Sequence, residues 1–168
     1  IEHLLVMPVT PTEIMLAKVW SMGAVVLLAA GVSLNLVVRG ALKVPIEGSL
    51  LLFMAGSALC LFATTAMGIF LATVARSMPQ FGLLMVLTLL PLQLLSGGMT
   101  PRESMPQLVQ DVMLFAPTTH FVELGQAILY RGAGIETVWK PFLWLAGIGA
   151  VLFWLSLMRF RKTLSSMA

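Results

Sequence analysis

Residues 48–75 read Gly-Ser-Leu-Leu-Leu-Phe-Met-Ala-Gly-Ser-Ala-Leu-Cys-Leu-Phe-Ala-Thr-Thr-Ala-Met-Gly-Ile-Phe-Leu-Ala-Thr-Val-Ala, 28 residues without a charge between Glu47 and Arg76. A bilayer core of about 30 Å needs about 20 apolar residues in a helix, so this run is long enough to cross one. Three more charge-free runs flank it. Val19–Val38 has 20 residues, Ser77–Pro101 has 25 and Pro141–Met158 has 18. The composition agrees: 59% of the 168 residues are apolar and 10% are charged, where soluble domains have about 45–50% and about 25%. That leaves too little polar surface for a soluble domain and too little charge for a disordered one. A net charge of +3, without clustered bases, gives no footprint for nucleic acid. A single cysteine excludes an internal disulfide framework and multi-cysteine metal sites. The expected fold class is all-α, a polytopic integral membrane protein with four transmembrane helices.

Four spans put both ends on one side. Basic residues divide evenly between the two sides, so those nearest the spans decide. Arg159, Arg161 and Lys162 follow the last span directly, and Arg76 sits in the tight turn between the second and third. Both ends are therefore expected in the cytoplasm. The organisation is a cytoplasmic segment 1–18, a transmembrane domain 19–158 and a basic tail 159–168. The first apolar run lacks the basic flank and cleavage site of a signal peptide. The chain opens on Ile1, inside what reads as a helix, which points to a preceding half.

The second span carries small residues at i+4 spacing: Gly56, Cys60, Thr64, Gly68 and Ala72. Such a stripe lets two helix backbones approach closely, within the chain or between subunits; the bland alternative is ordinary membrane-helix composition. Cys60 reads as a small packing residue. The third span has Pro91 in its interior, where proline removes a backbone donor and kinks the helix. Gln93 and Ser96-Gly97-Gly98 follow, so this end is either a hinge or pathway lining or a static kink. Asn35 reads as interfacial.

Residues 104–131 are more than a loop. Ser104 and Gln107 match a capping box, with apolar residues at Met105, Leu108, Val109, Val112 and Met113. Pro117 stops this helix. Thr119 is expected to cap a second one bearing Phe121, Leu124, Gly125, Ile128 and Leu129, ended by Gly132 and Gly134. The pair reads as a hairpin dipping into the outer leaflet, or as two helices lying flat with His120 and Glu123 solvated. Neither His3 nor His120 has a second ligand at metal-binding spacing. At the N-terminus, Thr10-Pro11-Thr12-Glu13 combines a cap, a first-turn proline and a reciprocal acid. That helix runs through Lys18 into the first span, and Pro8 separates it from the apolar residues before it.

These residues carry a family resemblance. Glu2, Leu5, Pro8, Val9, Thr10, Glu13 and Ala17-Lys18 resemble the cytoplasmic loop before the third membrane helix of ABC-2 type transporter permeases. Leu95-Ser96-Gly97-Gly98-Met99, Pro101 and Ala116-Pro117-Thr118-Thr119-His120-Phe121 resemble the outer hairpin region of that family. The resemblance implies the last four of six helices of a bacterial inner-membrane permease for drug or hydrophobic-compound efflux. It implies an ABC ATPase subunit, a second permease copy or relative, surrounding lipid and a periplasmic adaptor as partners. It also implies that Glu2, Leu5, Pro8, Thr10, Glu13 and Lys18 couple to the ATPase. The residues themselves fit this in part. No G-x-x-x-x-G-K-[ST] occurs, so no cofactor is expected here and ATP belongs to the partner. The spans hold no ionisable residue of the kind that ion-coupled carriers use as relays. An intramembrane enzyme finds no paired carboxylates, H-E-x-x-H or Ser/His pair within spans. A membrane scaffold, or an exporter of polysaccharide or lipid-linked polymer, is the alternative reading.

Overall fold

The computed structural model describes residues 10–41, 43 and 47–165; Pro11, Arg39 and residues 160–165 are described by their backbone alone. Among the described residues every regular element is helical. The elements are α1 (Pro11–Ser33), α2 (Leu50–Val74), α3 (Met78–Leu94), α4 (Gln107–Met113), α5 (Pro117–Arg131) and α6 (Ile135–Ser165). Three stretches are long and apolar enough to cross a membrane: Thr12–Val38, Leu50–Val74 and Ile135–Arg159. A fourth is reached if α4 and α5, bent by 90° at their break, are taken as one broken span.

One expected helix start and one expected helix end hold. Thr10 caps α1, and its Oγ1 accepts from the Glu13 backbone N–H at 3.3 Å. The carboxylate of Glu13 answers by accepting from the Thr10 backbone N–H at 2.6 Å, which closes the box. Beyond Ser33 the same helix widens into a π-helix, Leu34–Ala41, and Asn35 donates to the Gly31 carbonyl at 2.9 Å. Gly132 ends α5 in the left-handed region at φ +62°, where glycine avoids the Cβ penalty.

Elsewhere the structure corrects the sequence. The third run is not helical over its whole length. At 17 residues α3 is about 26 Å long, short of the ~30 Å hydrocarbon core. Pro91 removes one N–H from its final turns, and the chain leaves the helix at Leu95 for a bend with Gly97 at φ +93°. The Ser104–Gln107 box does not form. Ser104 ends a short 3₁₀ turn, Arg102–Ser104, and its hydroxyl turns back to the Pro101 carbonyl. Pro106 then begins α4 without a side-chain cap. Thr119 is not a cap either. Pro117 already provides the first-turn φ, so α5 starts three residues earlier than a Thr119 cap would place it, and Thr119 lies inside it. The last helix begins six residues before Pro141, which is accommodated near its start.

The core lies where α2, α5 and α6 meet. Phe53, Leu124, Ile128, Val138 and Leu145 form its buried cluster. Leu124 fills the space over Gly56: a β-carbon there would stand 2.6 Å from a Leu124 methyl. Gly48 is pressed so closely on the backbone of Ile128 that no β-carbon fits. The α2–α6 contact is the longest in the bundle. Ala63 and Ala66 are fully buried, and Gly149 sits where a β-carbon would meet the Phe62 ring at 2.7 Å. Ser156 donates to the Ala66 carbonyl at 3.0 Å across the two helices. By contrast α3 has no buried residue, and among the described side chains α1 buries none beyond Met15.

These contacts separate the glycines of α2 and α6. Replacing Gly56 or Gly149 by Leu overfills a packed contact, at a cost of typically 1–3 kcal/mol. A leucine at Gly68, with nothing within 4 Å, leaves the chain's own packing intact. Thermal unfolding of the purified variants in detergent checks this: Gly56→Leu and Gly149→Leu melt lower than the parent, and Gly68→Leu melts with it. Loss of assembly by Gly68→Leu at unchanged stability then reports contact with another chain.

Candidate functional site

The break between α4 and α5 shapes an apolar cavity; a larger, more open apolar hollow of about 770 Å³ lies along α1 between Ala24 and Leu36. Leu114, Phe115 and Ala116 leave the helix, and Pro117 restarts it at 90°. Thr118 ties the restart to α3 by donating to the Leu92 carbonyl at 3.4 Å. Under this corner α3 stands away from α6, and a cavity of about 620 Å³ opens between them. Its wall comprises Thr88 and Leu92 of α3, Met67 of α2, Phe115–Pro117 and a strip of α6 from Trp144 to Leu152. Among the described residues Thr88 brings its one side-chain hydroxyl, and no charged residue lines it.

His120 holds one side of this site. It is 2% exposed, and its Nε2 donates to the Leu114 carbonyl at 2.7 Å, across the break. Its ring stacks on Trp144 with parallel planes and centroids 5.5 Å apart. The helix break therefore keeps a satisfied carbonyl, and Trp144 is fixed at the cavity wall. A solvated His120, as two flat surface helices would leave it, is not what the structure shows. Leu124 and Ile128 of α5 are fully buried as well, whereas Leu108 and Val112 of α4 are largely exposed.

A second cleft of about 530 Å³ lies where α3 gives way to the loop. Ser96–Met99, Arg102 and Glu103 face Thr119, Glu123 and Gln126 of α5 across it. The hydroxyl of Thr119 is buried without a hydrogen-bond partner. At the opposite end, Ile14, Met15 and Lys18 of α1 meet Ile69, Ala72, Thr73 and Ala75 around about 440 Å³. This end is held by two caps. Thr10 and Glu13 close the first. The second cap joins α2 to α3. Ser77 accepts from the Gln80 N–H at 3.3 Å, and Gln80 Oε1 accepts from the Arg76 N–H at 2.8 Å. Ser77-x-x-Gln80 before an apolar run was the available signal for it.

The residues singled out in the sequence scatter over these places. Glu2, Leu5 and Pro8 lie outside the described residues; Thr10, Glu13 and Lys18 stand together at the start of α1. In the small-residue stripe, Gly56 meets Leu124 within the chain, Cys60 and Thr64 are half-buried, Gly68 has open space beside it and Ala72 is exposed. Pro91 and Gln93 are exposed on α3. Gly97 and Gly98 line the polar cleft, and Pro117 lines the apolar cavity. The sequence reading assigned His120 no packing role and left Trp144, Gly149 and Ser156 without one. Val138, Leu145, Gly149 and Ser156 recur at spacings of seven, four and seven along α6, a buried stripe that was legible once this helix was extended.

A bundle of long apolar helices with an apolar cavity beneath a broken helix pair has the construction of a membrane protein. The ABC-2 type transporter family model matches residues 1–130, and the chain belongs to that family. Two relatives, each named inner membrane transport permease YhhJ, come from Escherichia coli (strain K12) and Shigella flexneri. Each is 68% identical over all 168 residues, which cover 45% of the relative. The chain thus spans about half the length of the curated relatives it matches. No solved structure matches it.

The His120 contact yields a measurable expectation. His120→Ala leaves the Leu114 carbonyl without its donor, a loss of about 1–3 kcal/mol for a buried group. His120→Phe restores a ring beside Trp144 but no donor, and so recovers part of the loss. Thermal melts and tryptophan emission of the two variants check both contributions.

Proposed function

We propose that the chain is part of a permease subunit of an ABC-2 type exporter in the bacterial inner membrane. It moves a hydrophobic or amphipathic solute outward, powered by a separate ATPase subunit. The observation that carries this reading is the apolar cavity of about 620 Å³ between α3 and α6, in a chain of the ABC-2 type transporter family. Pockets of some 300–1,000 Å³ are the usual size for small organic ligands. The charge-free runs 19–38, 48–75, 77–101 and 141–158 offer no Asp, Glu, Lys or Arg as a relay, which favours mechanical coupling from outside the bundle over coupling to an ion gradient. The relatives' name, transport permease, supports the same class.

In this reading both ends of the chain are cytoplasmic, and the 104–131 region faces outward as a hairpin within the outer leaflet. The start of α1 receives the ATPase motion. Its capping box fixes the angle at which α1 enters the membrane, and the cavity formed with α2 makes the first turns one mechanical piece. Leu5 fills an apolar pocket of the ATPase, Glu2 meets a polar groove, and Pro8 sets the turn between them and α1. ATP binds in the partner, and a second permease copy or relative completes the transporter. The chain itself makes and breaks no covalent bond.

The test uses the complete transporter. Leu5→Asp abolishes ATPase association in pull-downs while leaving membrane insertion intact. Glu13→Ala keeps association measurable, since a lost cap costs only ~1 kcal/mol, yet lowers solute-stimulated ATP hydrolysis in proteoliposomes. Normal binding and stimulation by Leu5→Asp would make residues 1–18 a simple membrane anchor.

A further inference from the structure

We infer that the cavity between α3 and α6 is itself a binding site, entered sideways from the bilayer. Its ligand is a compact, uncharged, largely aromatic molecule. This deepens the export reading by assigning a site and a solute chemistry to it.

The ligand class follows from the wall. Met67, Leu92, Ile148, Val151 and Leu152 offer only dispersion contacts. With no ionisable side chain at the cavity, a charged group placed there would lose its hydration without compensation. Trp144 and Phe115 contribute the aromatic surface. Trp144 is 48% exposed although His120 stacks on it, so part of its indole remains available for a second ring. The Thr88 hydroxyl allows one hydrogen bond to a weakly polar substituent.

The dimensions distinguish a solute from a lipid tail. Along α6 the cavity runs from Trp144 to Leu152, eight residues or about 12 Å. One leaflet's hydrocarbon is about 15 Å deep, half of the ~30 Å core. Phe115, Ala116 and Pro117 form the cavity wall at the corner, and Thr118 binds that corner to the end of α3. The length of about 12 Å suits a compact molecule arriving between α3 and α6 better than an acyl chain that runs the full depth of its leaflet. The lateral way in is open because α3 packs weakly, with no buried residue along it.

Gly147 provides the handle for a test. It lines the cavity, and a β-carbon on it has nothing within 4 Å, so Gly147→Leu fills the space without a clash. Gly23 on α1 is equally open and remote, which makes Gly23→Leu the matched control. Membrane vesicles carrying the protein, without ATP, are photolabelled with benzophenone, a compact neutral aromatic probe, and the labelled residues are mapped by mass spectrometry. Label is expected to concentrate on residues 88–92 and 144–152. It should fall about tenfold in Gly147→Leu, equivalent to ~1.4 kcal/mol of binding, and stay at the parent level in Gly23→Leu. Val151→Trp fills the cavity from the next turn and replaces Gly147→Leu if that variant inserts poorly. In a parallel arm, phosphatidylcholine with a diazirine in its acyl chain should label exposed α1 residues such as Trp20, Val25 and Leu28, and spare the cavity. Benzophenone label spread evenly along α1, label undiminished by filling, or acyl-chain label as strong in the cavity as on α1 would each overturn the inference. Because ATP and the ATPase are absent, failure of the coupling at residues 1–18 leaves this result unchanged.

Discussion

The hydrogen bond from Ser156 to the Ala66 carbonyl, set in the close contact of α6 on α2, is the constraint on which the bundle depends. Between helices in lipid there is no hydrophobic drive, because the tails are as apolar as leucine; close packing and interhelical hydrogen bonds must hold the pair. Gly149 supplies the approach, resting on Phe62 and the backbone of Ala63. Ser156 supplies the polar tie at 3.0 Å and also keeps a bond to its own Leu152 carbonyl at 2.7 Å. Phe62 and Phe153 pack beside this contact with centroids 5.6 Å apart and planes tilted by 34°. The helices are thus fixed in both spacing and register.

The position of α5 follows from that pair. Leu124 over Gly56 and Ile128 against Gly48 need α2 at a set distance, and Val138 and Leu145 of α6 complete the same buried cluster. Once α5 is seated, its first turn carries the break, His120 and the corner above the apolar cavity. No comparable seat exists for α3. It is joined to α2 by a short capped turn at one end and to α5 by the Thr118–Leu92 bond at the other. A rigid three-helix unit with a loosely held fourth helix is a natural arrangement for a cavity whose mouth must widen. In the proposed transporter, motion at the start of α1 reaches this unit through the contact of α1 with α2, where Met15 is buried.

Much of this was readable in the chain because uncharged length has a single physical consequence. The run 48–75 gave α2 almost to the residue, and Thr10–Glu13 gave the start of α1, since hydrophobic thickness and orphan amide groups leave few alternatives. The family was legible too: the motifs at 1–18 and 95–121 led to ABC-2 permeases, and the family match and both relatives agree. What escaped the sequence was decided by tertiary context. Ser104 and Gln107 have cap chemistry, but Pro101 and Pro106 impose a 3₁₀ turn instead. Thr119 has cap chemistry, but Pro117 starts the helix first. Charge-free length overstated the third helix because glycine and serine are as uncharged as leucine. His120 looked idle, since neither its stack on Trp144 nor its bond across the break exists until α5 and α6 meet. The small-residue stripe was noticed on α2 alone; its counterparts for packing, Gly149 and Ser156, lay on a helix read mainly for its length.

The most direct measurement of this account is a disulfide cross-link between α2 and α6. In a Cys60→Ser background, Ala66→Cys and Ser156→Cys place two thiols at the central contact. Oxidation in native membranes should link them within one chain rapidly, and Gly68→Cys with Ser156→Cys should link more slowly. Failure of the first pair to link, or its linking only between two chains, would contradict the pairing of α2 with α6 on which the seat of α5 and the cavity both stand.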